Sequence, residues 1–169
     1  MIELESDLFK KNNTMKTEEL YLKTIFCCMS CDGEIAEEEI EMVKNFCSND
    51  DTFKEIEVEK TLNLWIKEIN SEGVVFLKRH LKDLANVNLS KEEELKIVDY
   101  AIKIIEADNK IEYSEIKFFK KIRANLTVSD EDILEIHPDK EDYLLPDICQ
   151  TDDFALDNFV YSEINLNQM

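Results

Sequence analysis

Two stretches of the chain are apolar on nearly every side: Leu20, Tyr21, Leu22, Ile25, Phe26, Cys27, Cys28 and Met29 in the first, and Ile97, Val98, Tyr100, Ala101, Ile102, Ile104 and Ile105 in the second. Helices of that kind are buried. The segments around them carry a single apolar stripe at helical spacing: Ile40, Val43, Phe46 and Cys47; Val58, Leu62, Trp65, Ile66 and Ile69; Val74, Leu77, Leu81 and Leu84; Ile116, Phe119 and Ile122. Each stripe predicts an amphipathic helix with Trp65 as a core anchor. Ser90 with Glu93 forms a capping box that starts the second buried helix, and Ser129 with Asp132 starts a short last helix holding Ile133, Leu134 and Ile136. Ser6 to Lys11 has the composition of one more short helix. Only 2 Gly and 2 Pro interrupt these patterns, and no stretch alternates as a strand would. The expected fold is all-α, a single bundle of about seven helices.

Both buried helices end in the same way. Asp32-Gly33-Glu34-Ile35 with Glu39, Ile40 and Lys44 is matched 76 positions later by Asp108-Asn109-Lys110-Ile111 with Glu115, Ile116 and Lys120. This is an internal helix-turn-helix repeat. Gly33 and Asn109 are the residue types that best tolerate the left-handed backbone closing a helix. With Ala36 and Glu112 as N-caps, Glu39 and Glu115 fall at the third helical position. There a carboxylate can reach back to the capping amide, and Ile35 with Ile40 and Ile111 with Ile116 become hydrophobic staples. Asp32 and Asp108 are harder to explain, because an acid at a helix C-terminus opposes the helix dipole. Either a bound cation or an Asx-turn to the following amides would relieve that opposition.

The duplicated Asp-to-Glu motif, each copy preceded by a buried helix, resembles the tellurite-resistance TerB family and its TerB-like relatives over roughly Met15 to Ile136. The resemblance implies an all-helical bacterial domain tied to tellurite, phage or general stress responses. It also implies acidic motif residues that bind divalent cations, and no enzymatic activity. Asp32, Glu39, Asp108 and Glu115 are the candidate metal ligands, and their hard oxygens favour Ca²⁺ or Mg²⁺. Asn109 stands where the family carries Gly, and Ala36 and Glu112 where Ser or Thr commonly caps, so weaker binding is expected at the second copy.

Charge narrows the partners. A formal net charge of −19 repels nucleic-acid phosphates and anionic membrane surfaces. It suits cations or a basic protein surface, and the alternative function is an acidic interaction module, at its extreme a DNA mimic that needs no metal. The acidic opening Met1 to Asp7 is unlike a signal peptide, and no apolar run approaches the length of a membrane span, so a cytoplasmic protein without membrane insertion is expected. Five cysteines, two of them adjacent in a buried helix, fit a reducing compartment. The Cys28-Met29-Ser30-Cys31 spacing lacks the second ligand pair of a zinc site, so packing is the expected role. His80 has no carboxylate or serine placed to use it and reads as a surface or boundary histidine. No nucleophile triad and no glycine-rich phosphate loop is present.

From His137 the composition changes, with eight acids facing one base, Lys140, among interleaved aromatics. The expected organisation is an N-terminal segment over 1–14, a helical domain over 15–136 and an acidic tail over 137–169. That tail either packs back on the domain or binds a protein partner.

Overall fold

The structure, a computed structural model, describes residues 16–107 and 109–145, so Asp108, the Ser6 to Lys11 helix and the tail beyond Leu145 lie outside the described residues. Eight α-helices and one 3₁₀ turn follow in order, with no strand among the described residues: α1 (Thr17–Ser30), α2 (Glu37–Ser48), the turn (Asp51–Phe53), α3 (Val58–Glu72), α4 (Val74–Asn86), α5 (Lys91–Glu106), α6 (Tyr113–Ala124), α7 (Asp130–Ile136) and α8 (Glu141–Leu144). The all-α bundle expected from the pattern is the fold. Its eighth helix falls in the acidic segment after Ile136.

Helix α1 is the centre. Every residue from Leu20 to Ser30 is buried, as the apolar run requires. Its most extensive partner is α5, and the two run side by side in the same direction. Glu93 at the start of α5 is bonded to Thr17 at the start of α1. The rings of Tyr21 and Tyr100 meet at 5.3 Å. At the far end Met29 and Ile104 line a common cavity. Two aromatic groups fix this core: Phe46 and Phe53 pack on Tyr100, while Phe26 packs on Trp65 and on Phe76. Trp65 is 4% exposed, the core anchor its spacing predicted.

Buried polar groups tie the outer elements to this centre. Tyr100 donates to Asp50 Oδ2 at 2.8 Å and lies 3.2 Å from Thr52 Oγ1. Asp50 also accepts from the Thr52 amide at 2.9 Å, capping the 3₁₀ turn. The acid between α2 and the turn thus has a structural role. Glu94, 5% exposed, accepts from the amides of Thr127 at 2.6 Å and Val128 at 3.0 Å and from the Thr127 hydroxyl at 2.9 Å. One buried carboxylate with three donors locks the α6–α7 connection. Beyond α7, Tyr143 is 8% exposed, stacks edge-on against Phe119 at 5.5 Å and donates to Glu106 at 2.9 Å, which Lys140 also contacts. The packed unit therefore continues past Ile136 to Tyr143, because these side chains close over α5 and α6.

One expectation is overturned. His80 is not at the surface or boundary: it is 0% exposed. It shares the inward face of α4 with Leu77, Leu81 and Leu84, and a buried threonine across the interface supplies the polar contact that makes this tolerable. Cys27, Cys28, Cys31 and Cys47 are all buried and free, and burial pushes each of these thiols well above its usual range. They are packing residues.

Candidate functional site: the paired helix junctions

Parallel α1 and α5 place both repeated junctions at the same end of the molecule. Gly33 has φ 88° and Asn109 φ 59°, the left-handed values expected at these positions. The turn amides bond back alike: Gly33 N to Ser30 O at 3.1 Å and Asn109 N to Glu106 O at 3.2 Å. Ala36 and Glu112 are the N-caps of α2 and α6. Glu39 accepts from the Ala36 amide at 3.3 Å, and Glu115 accepts from the Glu112 amide at 2.9 Å. The reach-back half of a capping box is present in each copy.

Asp32 takes the Asx-turn: its Oδ1 accepts from the Glu34 amide at 2.9 Å. Partial burial raises its carboxyl above the usual 3.8, against the lowering effect of that bond. The staples differ. Ile35 packs against the core and Ile40 is 1% exposed, whereas Ile111 is 50% exposed while Ile116 packs against the core.

Three of the four candidate ligands border the same cavity. Asp32, Glu39 and Glu115 line one cavity of about 30 Å³ together with Glu112, Met29, Met42 and Ile104. That is room for a water molecule or a single ion. The fourth candidate, Asp108, lies outside the described residues. Among the described residues no three Asp, Glu, His or Cys side chains converge closely enough to form a ready-made metal site. In the sequence Glu112 has only a capping role. Its position matches Ala36 in the first copy, so the repeat itself concealed a fourth acid. The two junctions also touch directly, since the Cys31 thiol lies 3.2 Å from the Cys28 carbonyl and 3.7 Å from that of Ser114 at the start of α6.

No family model matches this chain, and no curated protein or solved structure matches it either. The likeness to TerB proteins therefore stands on the duplicated motif alone. No helix of the described residues is long and apolar enough to cross a membrane.

Proposed function

We propose that this chain is a TerB-like, non-catalytic helical module that takes up a divalent cation at its paired junctions and serves in a bacterial stress-response, tellurite-resistance or phage-defence assembly. The observation that carries the reading is the lining of a single ion-sized cavity by Asp32, Glu39, Glu112 and Glu115 from two repeated junctions. Such hard oxygens suit Ca²⁺ or Mg²⁺, with water completing the coordination shell. The context of stress and defence comes from the resemblance of the motif.

Thermal melts of chelator-treated protein with Ca²⁺, Mg²⁺, Mn²⁺ or Zn²⁺ test it. An ion that binds only the folded state at a hundredfold excess over Kd stabilises by about 2.7 kcal/mol. Glu39→Gln and Glu115→Gln should each diminish that response. A wild type indifferent to all four ions would end the cation reading.

A second reading is favoured by a specific observation: Asp32, Glu39 and Glu115 each already accept a backbone amide. Acids with that structural employment can serve together as a negatively charged surface for a basic protein partner. Salt distinguishes the two readings, since attraction between exposed charges fades above physiological ionic strength while a coordinated ion is screened far less.

A further inference from the structure

His80 carries a polar arrangement that nothing in the junction site uses. The Thr24 hydroxyl gives its single hydrogen to the Leu20 carbonyl at 2.9 Å, so in the 2.9 Å contact between Thr24 Oγ1 and His80 Nε2 the ring nitrogen is the donor. Nδ1 is then an unprotonated lone pair, and this fully buried atom has no hydrogen-bond partner among the described residues. Among the described residues the charged group that acts on the ring is Lys23 of α1, itself 5% exposed. Its ammonium sits 4.7 Å from the centre of the Phe76 ring and 5.9 Å from that of Trp65. The buried residues of α3 and α6, which also pack on α4, are all apolar. On α4 itself Arg79 is paired with Glu72 at 2.8 Å, and the influence of Asp83 falls on the Cys27 thiol of α1.

We propose that His80 makes the α1–α4 interface an acid-sensitive latch. A proton added at Nδ1 would place a second positive charge within the influence of Lys23, in an apolar enclosure and with no acceptor among the described residues, so protonation requires α4 to lift from α1. Lifting α4 uncovers Phe76, Leu77, Leu81 and Leu84, all buried in the closed state. Burial, with Lys23 adding to it, pulls the imidazole from its ordinary 6.5 down to about 3. The sign follows from that direction. The neutral ring's contribution to stability is complete above the unfolded value and is lost progressively as pH falls between the two. At pH 5 the opening equilibrium should stand about thirtyfold above its value at pH 8.

The test is amide hydrogen exchange of α4 in the full chain at both pH values, corrected for intrinsic exchange chemistry, for the wild type and His80→Gln. The variant supplies the baseline, because carboxylate protonation alters self-repulsion equally in both proteins. The wild type should lose about thirtyfold more protection in α4 than the variant does. Equal losses in the two proteins would overturn the latch. Should His80→Gln fail to fold, the ring resonances of native wild-type His80 decide instead: no titration down to pH 5 supports the latch, and titration near 6.5 refutes it.

Discussion

The two junctions share a backbone and differ in what they bury. At the first, glycine turns the chain, Ile35 packs on the core and Ile40 is sealed. At the second, asparagine makes the same left-handed turn, yet Ile111 is half exposed and is followed by Tyr113 at 60% exposure. Backbone geometry at such a turn is set locally, by which residues tolerate positive φ and by which carboxylate can reach the capping amide. Burial is set by neighbours. The first junction follows α1, the helix surrounded by the rest of the bundle. The second follows α5, whose Asp99 and Lys103 pair on the outer side at 2.8 Å. Equal motifs therefore should not have equal energetic weight.

The largest test of that difference is truncation of the fourth-position isoleucines. Ile40→Ala removes a sealed side chain and should cost about 3 kcal/mol in urea unfolding, while Ile116→Ala, at a partly buried site, should cost roughly half as much. Equal losses would show that the junctions are energetically equivalent. Next in size is the turn itself. Gly33→Val forces a β-branched residue to positive φ and should cost about 2 kcal/mol, whereas Asn109→Gly should stay within about 0.5 kcal/mol of wild type, since glycine accepts the same conformation. A tolerated valine would mean that the first turn relaxes in a way the second does not need.

The smallest effect concerns Asp32. Asparagine keeps the acceptor of the Asx-turn, so Asp32→Asn should change stability by less than about 0.5 kcal/mol. Its pH dependence has a definite sign. The carboxyl is raised above 3.8 in the folded chain, so its contribution is fully present below that ordinary value and is lost as pH rises through the folded value. Melting of the wild type should accordingly gain on Asp32→Asn in acid and fall behind it near neutrality. The opposite ordering would make the Asp32 charge a stabilising feature of the first junction.

Much of this was legible because it is local. The caps at Ser90, Ala36, Glu112 and Ser129, the left-handed turns at Gly33 and Asn109, and the burial of α1 follow from residue types at fixed offsets. What the local pattern does not reach shares a cause as well. His80 looked like an outer residue because its partner, Thr24, is 56 positions away. Glu94 stands in a helix's first turn with Glu92 and Glu93, and only the return of Thr127 and Val128 gives it three donors. Whether the segment after Ile136 packs back is open in the sequence, and it is Glu106 and Phe119 on other helices that hold Tyr143.

By itself, then, the sequence determined the helices, their ends and the duplicated junction, since those depend on periodicity, capping and φ within a few residues. Only the tertiary structure decided that α1 and α5 lie parallel, so that Asp32, Glu39, Glu112 and Glu115 open on one cavity, and that a histidine and a lysine share the buried side of α1 and α4. Those arrangements depend on which surfaces exclude water together, and pairing of that kind joins residues far apart in the chain that no local pattern connects.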